Sequence, residues 1–342
     1  MRRLGLIGLA GLLAGAAAPA DKPVRQFHDW LAACDNTRSC AAFGFAGEDA
    51  PGLFLHLRRG GDAAAEPVVE IGRSFGADEA PSAVTLTVEG GKAPAHFGPF
   101  RAGKPEGGIP IPPAAARALI PALRDGKTLT IHAGKDRTVL PLAGAAAALR
   151  WIDDRQGRAG TATALAAVGP KPASGPPIAL PLVQASPQLA TEAKLAPSKA
   201  LLSRPELKDC DQEVLANAEY RGSWRLGPDT VLWSLGCEMG AYNLVSRLFL
   251  TDGKGGAVRP ARLPPVPGSE NDDPDRLVND EFDPKTKVLA AFDTGRGIGD
   301  CGESARYVWT GRGFALLQAQ EMPVCRGVDP DSWPYTYRAR LK

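Results

Sequence analysis

The residues of this sequence that could do chemistry are a glycine-dense loop, scattered carboxylates, four single histidines and six cysteines. The loop is GRGIGD, residues 295–300, and such a loop can offer backbone N–H groups to a phosphate. Phosphate loops of this kind follow a strand and open a helix. Here the next residues alternate like a strand, so a tight turn ahead of Cys301 is the expectation. Asp272, Asp273, Asp275 and Asp280 form an acidic patch that could hold calcium. They lack the fixed spacing and closing glutamate of a calcium loop, which makes the patch a solvated loop.

Nucleophilic and zinc chemistry find little support. No Ser-x-x-Lys, His-Glu-x-x-His or Cys-x-x-Cys occurs, and His28, His56, His96 and His132 stand apart. Asp29, Glu238, Glu281, Asp300 and Glu303 could supply the paired carboxylates of a hydrolase, but any chain of this size offers such pairs. The expectation is therefore no catalytic residue, no cofactor and no metal. Trp224, Trp233, Trp309 and Trp333, with Tyr220, Tyr242, Tyr307, Tyr335 and Tyr337, place most aromatics in the last third. They fill a core or line a recognition groove, and a core is the simpler reading. Arg296, Asp300 and Glu303 are expected to project from the glycine turn. With Trp309 and Tyr242 they are the candidate partner-binding residues.

The redox state follows from the address. Arg2 and Arg3 precede a short apolar run that ends on Ala18-Pro19-Ala20, the pattern of a secretory signal peptide cleaved near Ala20. The run falls short of the ~20 residues that span a bilayer, so no stable membrane insertion is expected. Removing residues 1–20 takes away both arginines and leaves 38 basic against 38 acidic residues. A neutral chain without a basic stripe excludes nucleic acid as a partner. An even number of cysteines in an exported, periplasmic chain reads as disulfides. If the two parts of the chain fold separately, Cys34 pairs with Cys40. Three pairings then remain for Cys210, Cys237, Cys301 and Cys325, of which the sequential one is expected.

The elements that must position these residues are mostly strands. With 39 glycines and 31 prolines, the chain suits many short strands with a few short helices. VRQFHDWLAACDNTRSCAAFGF reads as strand, stapled loop, strand, and 53–59, 67–72, 83–90, 128–134 and 138–144 continue the alternation. Helices are expected at 113–124, around a kinking Pro121, and within AAAALRWIDDRQG, with Leu149 and Trp151 inward. Eight prolines between 170 and 205 mark a Pro/Ala-rich surface linker. The expected plan is a signal peptide at 1–20, a β-rich domain at 21–168, the linker at 169–204 and a second β-rich domain at 205–342. In the second, a helix opens at PELKDCDQEVLANAEY. Strands follow at 230–237, 241–252, 256–263, 277–283 and 287–294, then a hairpin stapled by Cys301–Cys325 and a closing loop.

FHDWLAACDNTRSC, GCEMGAYN, GRGIGDCG with VWTGRGFAL, and VCRGVDPDSWPYTYRA together resemble the domain of unknown function 1176 family, over nearly the whole mature chain. That resemblance implies export from a Gram-negative bacterium and brings no activity. The first domain is also similar, more weakly, to the invasion-associated locus B family. The matching features are Trp30 ahead of Cys34, the AARALIPALRDGKTLTI passage and TVLPLAGAAAAL. This second resemblance implies an envelope or surface role in host-associated bacteria. The functional expectation is a non-catalytic binding or envelope-associated module with an unknown protein or envelope partner. The alternatives are a carboxylate-dependent hydrolase of cell-wall or glycan material and an inhibitor of a lysozyme-type enzyme.

Overall fold

The computed structural model describes residues 22–47, 52–74, 81–103, 108–173, 177–269 and 273–342; the signal-like segment and Asp272 lie outside them. The first part of the chain runs β1 (Val24–Phe27), β2 (Trp30–Cys34), β3 (Cys40–Gly44), β4 (Leu53–Arg59), β5 (Val68–Arg73), β6 (Ala83–Glu89), β7 (Ala95–Arg101), β8 (Ile109–Ile111), α1 (Pro113–Asp125), β9 (Thr128–Ala133), β10 (Asp136–Pro141) and α2 (Ala145–Arg155). One antiparallel sheet has the order β1-β2-β3-β4-β5-β8 and a second β10-β9-β6-β7.

The rest runs β11 (Leu182–Val183), β12 (Thr191–Glu192), α3 (Lys199–Leu202), α4 (Gln212–Ala216), β13 (Arg221–Gly227), β14 (Thr230–Met239), β15 (Leu244–Thr251), β16 (Arg259–Pro260), β17 (Arg276–Val278), β18 (Glu281–Asp283), β19 (Val288–Thr294), β20 (Gly302–Trp309), β21 (Phe314–Met322), β22 (Tyr335–Arg338) and β23 (Arg340–Leu341). A third sheet is β12-β13-β14-β15-β16, with β17 also on β15, and a fourth is β18-β19-β20-β21-β22. The fold is thus mainly β with a few short helices, held by disulfides at Cys34–Cys40, Cys210–Cys237 and Cys301–Cys325.

The four sheets stack in layers, and the pleat explains why. Successive strand residues face opposite sides, so a strand covered on both faces must be apolar throughout. In β2, Trp30 and Ala32 join the core formed with the second sheet and both helices, whereas Leu31 and Ala33 enter a different core. That other core also contains Phe43, Phe45 and Phe54, and it meets Met322, Val328 and Trp333 from the carboxy-terminal part. The first and fourth sheets therefore pack back to back. The opposite face of the fourth sheet packs on the third through Leu289, Tyr307, Leu232 and Leu248. The outer face of the third is covered by Leu201, Leu207 and Leu215 over Val231, Trp233 and Leu235. At roughly 1.5–3 kcal/mol per large buried side chain, these four apolar clusters supply the main driving force for the stack.

Several local expectations are corrected. His28 adopts a positive φ of 53° at a two-residue turn, which splits the first run into the hairpin β1-β2. Strands β7 and β8 had no expected counterpart. The helix expected near 205–220 is broken into a 3-10 turn, α4 and a second 3-10 turn. Cys210 is tied to Cys237, and the Asp211 carboxylate restarts the helix by accepting from the Glu213 and Val214 N–H groups. Pairing in 256–263 is confined to Arg259–Pro260. The single strand expected over 277–283 is two, because Asn279 at φ 46° carries the chain from the third sheet to the fourth. The expected closing loop forms β22 and β23, and the Pro/Ala-rich segment pairs through β11 with β23 and through β12 with β13. Leu149 is fully buried, whereas Trp151 is half-buried beneath the Arg155 guanidinium.

Two polar devices fix the first part of the chain. Arg59 is enclosed and donates to Gln156 Oε1 at 2.6 Å, Thr163 O at 2.8 Å and Asp153 Oδ1 at 2.9 Å. Asp153 in turn accepts from the N–H groups of Leu165, Ala166 and Ala167. Burial pushes the Arg59 guanidinium down to about 10, and neighbouring Arg158 adds to that. The Cys34–Cys40 loop is a socket for the end of the chain. Asn36 exchanges two hydrogen bonds with the Arg338 backbone, and the Arg338 guanidinium reaches Asp35 Oδ2 at 2.5 Å and Thr37 Oγ1 at 3.2 Å.

Candidate functional site

The inward face of the fourth sheet is apolar over most of its length and then changes character. Register places Leu289 opposite Tyr307, Ala291 opposite Ala305, and Asp293 opposite Glu303. On the next strand Ala319 faces Ala305 and Glu321 faces Glu303. Alternation puts Leu289, Ala291 and Asp293 on one face, so the face that carries the core residues ends in a row of three carboxyl-bearing positions. Directly opposed residues sit about 4.5–5.5 Å apart at Cβ, and like charges there are destabilising.

Beside this row the third and fourth sheets leave a cavity of about 660 Å³, whose polar wall includes Asp273, Arg276, Asp293, Glu303 and Tyr307. Leu277, Val278 and Ala291 supply an apolar floor. A smaller space of about 160 Å³ adjoins it, and Tyr307 lines both. The Tyr307 side chain is almost wholly buried, and its hydroxyl has no hydrogen-bond partner among the described residues. Burial, reinforced by the negative field of Glu303, pushes that hydroxyl up to about 12. It is a neutral donor at any physiological pH.

The surrounding loops hold the wall in place. Asn243 donates to Asp293 Oδ1 at 3.1 Å and to Thr294 O at 3.0 Å, and its own carbonyl accepts from the Asn279 amide at 2.9 Å. Asn279 also donates to Phe292 O at 2.9 Å, so the crossover between sheets sets the position of Asp293. Arg247 holds Asp273 at 2.5 Å.

The acidic patch expected to be a solvated loop is therefore built into the wall and the core. Asp275 is buried, which raises its pKa; neighbouring Asp273 adds to this and Arg247 opposes it. The half-buried Asp280 turns its carboxyl onto Ser246 and Ser234, and burial raises it too.

Of the candidate partner-binding residues, Glu303 alone reaches this cavity. Asp300 does not project. It is fully buried, bonded to Arg296 at 2.6 and 2.5 Å and to the Gly327 N–H at 2.6 Å. Burial would raise the Asp300 pKa, but these donors outweigh it and hold the carboxyl below its ordinary range. Trp309 is core, packed edge-on against Phe314. Tyr242 is exposed and its ring lies over Gly297, where a Cβ would come within 2.6 Å of it. Gly302, at φ 138°, would set a Cβ 1.9 Å from the Asp293 carbonyl oxygen, so glycine there is a packing requirement of the turn.

Two further groups of reactive side chains are engaged within the fold. The sequence carries Gly72-Arg73-Ser74-Phe75-Gly76, the spacing of a nucleophile elbow. Ser74 is buried where the first and fourth sheets meet, accepting from the Gly52 N–H and lying 3.4 Å from Arg326 O, with no histidine bonded to it. Among the described residues, the group of ligand-type side chains close enough to share a metal is Asp300, Cys301 and Cys325, and both sulfurs are consumed in a disulfide. Asp293 was missed in sequence, and Tyr307 was named only among the aromatics of the last third. The usable signal was the alternation Leu289, Ala291, Asp293, an inward series that ends on a charge.

A model for proteins of unknown function, DUF1176, matches residues 24–340. The chain belongs to the DUF1176 family. It is also 30% identical to the uncharacterized protein YpfG of Escherichia coli strain K12, over 95% of this chain and 94% of that one. Among solved structures, invasion associated protein b from Bartonella henselae matches at 21% identity and a TM-score of 0.28, covering 39% of this chain and 98% of that chain. That superposition is too loose to carry an argument.

This DUF1176 protein has a second concavity, about 390 Å³, between the Cys34–Cys40 side of the first sheet and residues 331–338. Within it His56 stacks on Phe43 and bonds through Nδ1 to Glu70 at 2.9 Å, while Arg58 bonds the other Glu70 oxygen at 3.0 Å. Burial lowers the His56 pKa from its ordinary 6.5; Glu70 opposes the shift and Arg58 adds to it. The His56 hydrogen bond in turn lowers Glu70 from its ordinary 4.5. For His56 the unfolded chain binds more protons once pH falls below about 6.5, so stability is lost on acidification. Glu70 contributes stability above about 4.5 and loses it as pH drops further. Urea midpoints should therefore fall more steeply between pH 7 and 5 in the wild type than in His56→Gln, and parallel slopes would refute this. No helix among the described residues is long and apolar enough to cross a membrane.

Proposed function

We propose that this DUF1176 chain is an exported, non-catalytic binding protein of the bacterial envelope, and that its ligand occupies the cavity between the third and fourth sheets. One observation carries the reading. Core-facing positions of the fourth sheet are given to Asp293 and Glu303, opposed to each other at the wall of a 660 Å³ space, with the unpartnered Tyr307 hydroxyl beside them. That volume lies in the range of small-molecule sites, which combine an apolar lining with a few convergent polar groups. Retaining like charges face to face is costly unless something else uses them. The three disulfides suit the periplasm, where the signal-like residues 1–20 would deliver the chain.

The directly opposed Asp293–Glu303 pair also favours a second reading, a hydrolase of cell-wall or glycan material, since such enzymes work with two neighbouring carboxyls. Such an enzyme needs one carboxyl kept protonated. The carboxyls that burial raises here, Asp275 and Asp280, are not on the cavity wall. The mature chain, passed through periplasmic extract and denatured, should release a small molecule that the Glu303→Gln variant fails to retain. Soluble fragments released from insoluble cell wall, and lost in both Asp293→Asn and Glu303→Gln, would overturn the non-catalytic assignment.

A further inference from the structure

We infer that the ligand of this cavity is a small organic cation, an ammonium group on an aliphatic stem, seated with its charge between Asp293 and Glu303 and its stem on the apolar floor. The inference rests on the binding reading above and adds the chemistry of the ligand. Asp273 is held by Arg247 and Arg276 has a partner of its own, so the cavity-facing carboxylates with acceptors to spare are Asp293 and Glu303. Asn243 donates to one Asp293 oxygen, and no partner is recorded for the Glu303 carboxylate among the described residues. Two opposed carboxylates offer more acceptors than the protein fills, and an ammonium brings three donors. The Tyr307 hydroxyl adds a neutral oxygen to the same wall, an arrangement that suits a group carrying both N–H donors and a polar tail. Leu277, Val278 and Ala291 give the stem an apolar surface, so a bare metal ion or an inorganic cation would leave the floor unused.

An alternative structural role for the acids is answered by their register. Side chains placed for stability across a ladder are of opposite sign, whereas Asp293 and Glu303 are directly opposed with one sign. A site of this kind trades stability for function. Glu303→Gln should consequently leave the ligand-free protein as stable as the wild type, or raise its melting temperature, while weakening the ligand.

Calorimetric titration of the mature chain tests this with three probes: 1,5-diaminopentane, Nα-acetyl-lysine amide, and 1,5-pentanediol as the uncharged isostere. At least one of the two ammonium probes is expected to bind and the diol is not. Binding of the diamine alone identifies a free amine as the source, and binding of the lysine derivative alone identifies a peptide-borne one. Asp293→Asn and Glu303→Gln should each weaken the bound cation about tenfold or more, as loss of a hydrogen bond to a charged group requires. Added salt should weaken it further. The cation assignment is overturned if the diol matches the diamine, if neither ammonium probe binds, if both variants bind unchanged, or if Glu303→Gln lowers the ligand-free melting temperature by several degrees. An uncharged molecule recovered from extract in wild type but not in Glu303→Gln would keep the cavity as a ligand site while refuting the cation. Failure to recover any molecule would refute both.

Discussion

Replacing Asp153 by alanine is expected to cost about 3–5 kcal/mol, the scale for removing one partner of a fully buried ion pair. The side chain does more than neutralise Arg59. It also receives three consecutive backbone N–H groups, from Leu165, Ala166 and Ala167, which would be left without their acceptor. Arg59 would retain only the neutral oxygens of Gln156 and Thr163 among its hydrogen-bond partners. Arg59→Met is predicted to be milder, because Asp153 then keeps its three N–H donors and methionine fills much of the volume. Urea unfolding followed by circular dichroism gives both values. A loss below about 1 kcal/mol in Asp153→Ala would mean that solvent enters the site freely.

The second large effect is at Trp333. It is almost wholly buried, stacks on Phe292 with ring centroids 5.2 Å apart and donates from Nε1 to Val328 O at 3.0 Å. Its neighbours in the same core include Leu31, Phe43 and Phe54 from the other end of the chain. Trp333→Ala should therefore cost about 3–5 kcal/mol as a core truncation. Because the void left by the truncation lies between the first and fourth sheets, the loss should be accompanied by faster proteolysis within residues 169–204, read by mass spectrometry of the fragments. Destabilisation without any change in that cleavage would place the damage inside the carboxy-terminal part alone.

Much of this architecture was legible in the amino-acid pattern, and the reasons for the gaps are specific. Gly and Pro density with alternating runs gave the strands of both halves, and α1 appeared where Ala116, Leu119, Ile120 and Leu123 recur at helical spacing. The break at Asn279 was hidden because a positive φ at asparagine looks like any polar residue inside LVNDEFD. Strand β7 was lost because its pattern mixes glycine and proline in AHFGPFR, residues that ordinarily end strands. The candidate site was harder still. Glu303 was noticed for its place beside a glycine turn, yet its importance comes from standing opposite Asp293, a relation that belongs to pairing register. The burial of Asp300 could not be read from GRGIGD, since its partners include the Gly327 N–H, far along the chain.

The socket formed by Asp35, Asn36 and Thr37 has a consequence for the order in which the molecule is made. These residues are synthesised well before Arg338, which fills the socket and lies 302 positions after Asn36. Contacts this far apart in sequence close late because the intervening chain must first be gathered. A nascent chain can close its Cys34–Cys40 ring early and still keep the back of the first sheet uncovered until Met322, Val328 and Trp333 arrive. Seating Arg338 in the socket is thus a late, closing step for the first sheet.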